Sequence, residues 1–170
     1  IFIYDGTADG LFTVVAVAIK SKEQPEAIYP SGCFQGGLFD HEFNVGTDED
    51  QVAKLWKYVN RELRKTSVRH ILKVIISDLP DKEMVIHDYI KASIKLGKKL
   101  DKHHTLDSVK TMHEYSQKVG FETHRFKGLL RFRQLQDQIL YAPFFPDHKI
   151  VYSLAEHFKD RLGGEKWIIH

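Results

Sequence analysis

The sequence predicts an α+β fold, with about six helices around one small, mostly antiparallel sheet of three to four strands. Three observations carry this expectation. Apolar residues recur at helical spacing along most of the chain. Short β-type runs at residues 1–4, in two arms of a hairpin within 129–145, and at 167–169 read as the strands. Helices and strands follow one another in irregular order, the pattern of α+β chains. The 170 residues contain no repeat, low-complexity tract or linker, so 1–170 is expected to form a single domain.

Each element has a local reason. Residues 1–4 (IFIY) are apolar and end at Asp5-Gly6, a turn signal. Thr7 is placed to cap a helix carrying Leu11, Val14, Val15 and Ala18 on one face. Residues 21–46 read as an irregular loop, with Pro25, Pro30 and Gly36-Gly37, pinned by Tyr29, Phe34, Phe39 and Phe43. Thr47 and Asp50 have capping-box spacing ahead of a helix with Leu55, Trp56, Val59 and Leu63 inward. Ser67 opens the next, which presents Val68, Ile71, Leu72, Ile75 and Leu79 and stops at Pro80. Asp81 caps a further one with Ile86, Tyr89, Ile90 and Ile94 on its apolar face. Residues 106–127 form another, ended by Gly128. The hairpin turns at 136–138, with Leu130 and Phe132 on one face and Arg131 and Arg133 on the other. Asp147 is placed to cap a last helix with Leu154, Phe158 and Leu162 inward, ended by Gly163-Gly164.

The formal net charge is +2, with 42% hydrophobic and 28% charged residues. This balance is that of a soluble globular chain and permits nucleic-acid binding without demanding it. Cys33 is the single cysteine, which excludes an internal disulfide and fits a reducing cytoplasm. No apolar run approaches the roughly 20 residues that span a bilayer, so no membrane partner is expected. Phosphate-cradling loops, dinucleotide fingerprints, HExxH and GxSxG are all missing from the sequence.

Charge is concentrated in one place. KVGFETHRFKGLLRFR, residues 118–133, sets five cations (Lys118, Arg125, Lys127, Arg131, Arg133) against one carboxylate, Glu122, with three phenylalanines between them. Basic residues interleaved with aromatics suit a polyanion whose bases can also be touched. Glu122 and Arg125 stand at i and i+3, where a salt bridge is the structural alternative to a site. Arg125, Lys127, Arg131 and Arg133 are candidate phosphate ligands, and His124 with Glu122 a candidate acid–base pair. Asp147, His148, His157 and Arg161 make a second group, with His157 and Arg161 one turn apart on the last helix. There His157 is a candidate proton carrier and Arg161 an anion ligand, against the plainer reading that both border the core. Lys91, Lys95, Lys98 and Lys102 recur at i, i+4, i+7 and i+11, either a solvated helix face or a track of phosphate contacts. The spacing of His124, His148 and His157 does not favour a metal, and no cofactor is assigned.

YDGTADGLFTVV, TD at 47–48, VGFETHRFKGLLRF, YAPFFPDHKIVYSLAEHFKDR and WII occur in this order. In these segments the chain resembles a bacterial family described as a probable DNA metabolism protein. Tyr4, Asp5, Gly6, Glu122, His124, Arg125, Gly128, Arg131, Phe132, Tyr141, Pro146, His157, Phe158, Arg161 and Trp167 are the matching positions. Leu129-Leu130 depart from the more usual Gly-Phe-aliphatic run. The resemblance implies a DNA context and a radical S-adenosylmethionine protein as partner, sometimes with fusion to a uracil-DNA glycosylase-like domain. It implies no reaction. The expected function is therefore a nucleic-acid-binding accessory of DNA metabolism or repair. The alternatives are an enzyme on nucleic acid or nucleotide using His124 and Glu122, and a protein-interaction subunit that does not touch DNA.

Overall fold

The structure is a computed structural model and describes residues 1–21, 24–34, 36–37 and 41–170; Phe39, expected to help pin the loop, lies outside them. Among the described residues are six α-helices and two separate three-stranded sheets. The α+β expectation holds, but the single sheet does not.

In the first sheet β1 (Phe2–Tyr4) lies between β2 (Ile28–Pro30) and β3 (Phe43–Asn44), and both pair with it in parallel. The parallel direction follows from the connection: α1 (Ala8–Ser21) carries the chain back before β2 begins. Phe2 and Tyr4 are buried, and the Phe2 ring stacks on Phe43 at 5.5 Å. Tyr29 stacks on Phe34 at 5.3 Å, so part of the expected loop pinning is present.

The Asp5-Gly6-Thr7 turn is a closed hydrogen-bond device. Asp5 Oδ1 accepts from the Thr7 N–H (2.9 Å) and hydroxyl (2.7 Å), and Thr7 Oγ1 accepts the Gly10 N–H at 2.9 Å. Thr7 therefore caps α1 as its sequence position suggests. Thr47 donates to Asp5 Oδ2 at 2.6 Å, which ties the next helix to the same carboxylate. Those hydrogen bonds, from Thr47 first and then Thr7, hold the Asp5 carboxyl below its ordinary range.

The cap of α2 (Glu49–Glu62) is Asp48, which accepts from the Gln51 N–H at 3.1 Å; this corrects the Thr47–Asp50 capping box. The next helix, α3 (Lys65–Ile75), begins before Ser67 and ends before Leu79, leaving Leu72 exposed. Lys82 closes its end by donating Nζ to the Ile75 (3.2 Å) and Ser77 (2.5 Å) carbonyls. Burial pushes the Lys82 ammonium below its ordinary pKa. Asp81 precedes α4 (Lys82–Leu96) with left-handed φ of 50° and without a side-chain capping bond, and Ile94 of that helix is exposed.

At Gly97, φ of 49°, the chain leaves α4 for a 3-10 helix over Gly97–Lys102. The longest helix, α5 (Asp107–Leu129), runs through Gly128 instead of ending there. A glycine costs a helix about 1 kcal/mol, and here the turn around it is held by burial of Leu130 and packing of Phe126.

The second sheet is β4 (Arg133–Gln134), β5 (Leu140–Ala142) and β6 (Trp167–Ile169), in that order. The β4–β5 pair is the expected antiparallel hairpin, shorter than 129–145, around a 3-10 turn at Gln136–Gln138. The β5–β6 pair is parallel because α6 (Val151–Leu162) returns the chain between them. The residue flanking α6 is Ile150, so Asp147 does not cap it; Gly163, φ of 56°, ends it as expected.

Two cores result. One joins β1, β2, α1 to α4 and the first half of α5 through residues such as Val14, Val59, Ile71, Tyr89 and Met112. The other gathers Val119, Leu130, Ala142, Ile150, Leu154 and Phe158. The 23 residues of α5, about 35 Å long, belong to both. Among the described residues, no helix is long and apolar enough to cross a membrane.

Candidate nucleic-acid interface

The candidate residues collect around the second half of α5, in two clefts. The first is about 480 Å³ and is lined by Gly128, Leu130, Arg131, Phe132, Phe158, Arg161 and Leu162. Arg131 comes from the segment after α5 and Arg161 from the end of α6, 30 positions away in sequence. Phe132 and Phe158 meet edge to face at 5.0 Å between them. No carboxylate lines this cleft, and neither arginine makes a salt bridge among the described residues.

Arg131 is not on a strand, which corrects its pairing with Arg133 on a sheet face. Its Nη1 donates to the Gly128 carbonyl at 2.6 Å and the Leu130 carbonyl at 3.3 Å, covering the open end of α5. A cation there also complements the negative end of the helix dipole. A guanidinium has five N–H donors, so this work leaves others for an anion.

The second cleft is about 550 Å³, lined by Asp78, Leu79, Lys118, Phe121, Glu122, Arg125, Asp147 and His148. Helical spacing explains half of it: Lys118, Glu122 and Arg125 stand at i−4, i and i+3 on α5. Glu122 is 6% exposed and forms no salt bridge with Arg125. Its Oε1 accepts the Asp147 backbone N–H at 2.6 Å, while Oε2 is buried without a hydrogen-bond partner. An unpaired buried carboxylate oxygen is costly. His148 is also buried, and Lys149 meets Asp78 at 3.6 Å across the rim. Phe121 is 65% exposed at the mouth.

The remaining candidates are dispersed. His124 is exposed and lines neither cleft, so the structure does not bring it together with buried Glu122. His157 is half-buried, with its ring edge-on to Phe158 at 5.0 Å, and also lines neither cleft. Lys127 is half-buried and lines neither cleft. The Arg133 guanidinium lies over the Tyr141 ring at 5.2 Å and that of Arg125 over Phe126 at 5.6 Å. The four-lysine stripe is broken at Gly97. Lys91 and Lys95 border a shallow groove on α4, where Lys91 bonds to Gln24, and Lys98 and Lys102 lie exposed on the 3-10 helix.

A family-wide sequence profile described as a domain of unknown function, DUF4130, matches residues 80–170. That is more than half of the chain. The chain belongs to this family. No curated protein and no solved structure matches it. The DUF4130 region begins just before α4 and contains both clefts except for Asp78 and Leu79. The later segments of the resemblance, from VGFETHRFKGLLRF onward, fall within the matched region, and that domain's description assigns no activity.

Sequence reasoning missed a third grouping. His70 on α3, Asp101 on the 3-10 helix and His113 on α5 come together, half-buried, at the junction of three helices. Positions 70, 101 and 113 follow no ligand spacing, so only tertiary packing reveals them.

Proposed function

We propose that this DUF4130 chain is a nucleic-acid-binding module, acting as an accessory in DNA metabolism or repair. One observation carries the reading: Arg131 and Arg161, distant in sequence, converge on one cleft with a phenylalanine floor and no lining carboxylate. Two guanidinium groups without a salt bridge, in a cleft also lined by aromatic rings, suit a phosphate with an adjacent sugar or base. The neighbouring cleft adds complementary chemistry. Lys118 and Arg125 attract the backbone, and exposed Phe121 offers a stacking face for an unpaired base. Such contacts require splayed bases, so single-stranded DNA is the favoured ligand.

The radical S-adenosylmethionine partner rests on the family resemblance, and with it the chain works as one unit that presents DNA to that enzyme. Binding is favoured over catalysis because His124, the proton carrier expected from the sequence, lies outside the cleft that Glu122 lines. The test is fluorescence anisotropy with a labelled single-stranded oligonucleotide at low salt. Arg161→Ala should weaken binding about tenfold, the loss of one charge-assisted contact of about 1.5 kcal/mol. Absence of binding at low salt overturns the proposal, and nuclease-insensitive capture of a protein partner would then favour the interaction-subunit alternative.

A further inference from the structure

We infer that His70, Asp101 and His113 form a binding site for a divalent transition-metal ion, zinc by preference. Each offers one ligand atom, and these atoms lie within 4.8 Å of one another. Bonds of about 2.0–2.1 Å to a tetrahedral zinc place ligand atoms about 3.3 Å apart. No pair must therefore close by more than about 1.5 Å, within the reach of side-chain rotation. Two imidazoles and one carboxylate form a borderline donor set that suits zinc better than calcium or magnesium, which prefer all-oxygen shells.

The surroundings are built as metal ligands require. Ser116, buried on α5, holds His70 Nδ1 at 2.8 Å and fixes the ring. Asp101 is held from both sides: Tyr89 donates to Oδ1 and Ser67 to Oδ2, each at 2.5 Å. His113 Nε2 lies 2.9 Å from Asp101 Oδ1, and its ring faces His70 at 4.6 Å between centroids. Secondary hydrogen bonds of this kind orient ligands, and losing one costs about 10–100-fold in metal affinity. The His113 and Asp101 side chains are 28% and 17% exposed, which leaves a path for the ion.

On binding, His113 exchanges its hydrogen bond to Asp101 for a bond to the metal, with its proton on Nδ1. The fourth position is open to water or to His104, whose ring meets His113 edge-on at 5.7 Å. The site would clamp α3, which precedes the family-matched region, to the 3-10 helix and α5 within it.

The test is calorimetric titration of zinc into the chelator-treated full chain, with thermal denaturation alongside. Binding of one ion per chain with Kd of micromolar or tighter, and a raised Tm, is expected. Asp101→Asn and His113→Gln should abolish binding, Ser116→Ala should weaken it about 10–100-fold, and His41→Ala should leave it unchanged. Should a ligand variant fail to fold, cobalt(II) titration of the wild-type chain decides: a visible spectrum of four-coordinate nitrogen and oxygen ligands supports the site. No stoichiometric binding by the folded wild-type chain overturns it, as does binding that survives the Asp101 and His113 variants.

Discussion

Glu122 in the middle of α5 holds the Asp147 backbone N–H at 2.6 Å, which joins the spine helix to the turn ahead of α6. The same carboxylate leaves Oε2 buried without a partner, so one residue both anchors the second core and keeps one acceptor in reserve. Glu122→Gln can keep the anchor through its carbonyl oxygen while shedding the buried charge. It should stay within about 1 kcal/mol of wild type in urea denaturation, whereas Glu122→Ala should cost about 2–4 kcal/mol.

The turn before α1 offers a steric prediction. A Cβ at Gly10 would lie 2.0 Å from Asp5 Oδ1, an impossible contact. Gly10→Ala should therefore displace the Asp5 carboxylate, break its bonds to Thr7 and lower stability. Adding Asp5→Ala should cost little further, and a double-mutant cycle by thermal denaturation checks that non-additivity.

Asp5 also predicts an acid response. Its folded pKa is depressed, so its contribution is fully present above the unfolded carboxyl value of about 3.9 and is lost as pH falls through the lower, folded value. In Thr47→Val the titration of Asp5, followed by NMR of its side-chain carbon, should move back up. The acid limb of the stability curve should then flatten. An unchanged titration would mean that Thr47 does not hold this carboxylate.

Tyr4 donates its hydroxyl to Glu83 Oε1 at 2.9 Å in the first core, and burial raises the phenol pKa far above normal. Tyr4→Phe leaves the buried Glu83 without that donor. The expected loss is about 1–3 kcal/mol by urea denaturation.

How much of this was legible depends on the range of the interaction. Period, capping and turn chemistry are local, and so β1, the Thr7 cap and the Gly163 stop can be read from neighbours in sequence. Strand partners are not local. Residues 28–30 and 43–44 read as loop because they are two or three residues long and are strands only against β1. The direction of β6 likewise depends on how α6 packs. Gly97 and Gly128 look alike as helix breakers, yet only Gly97 takes a positive φ and ends its helix. Of the site, Arg131 and Arg161 were legible as basic residues, and Glu122 with Arg125 as helix neighbours. The orphaned Oε2 and the His70–Asp101–His113 grouping arise from packing between elements and leave no sequence pattern.

The claim that Arg131 and Arg161 hold a nucleic-acid phosphate is tested most directly by the salt dependence of single-stranded oligonucleotide binding. Affinity should be measured for wild type and for the Arg131→Ala/Arg161→Ala pair, after confirming that the pair remains folded. Each phosphate contact contributes a slope of about 0.7 in log affinity against log salt on single strands. The double variant should bind more weakly at every salt concentration, with a slope shallower by at least about 0.7. Equal affinity and equal slope in the two proteins would contradict it.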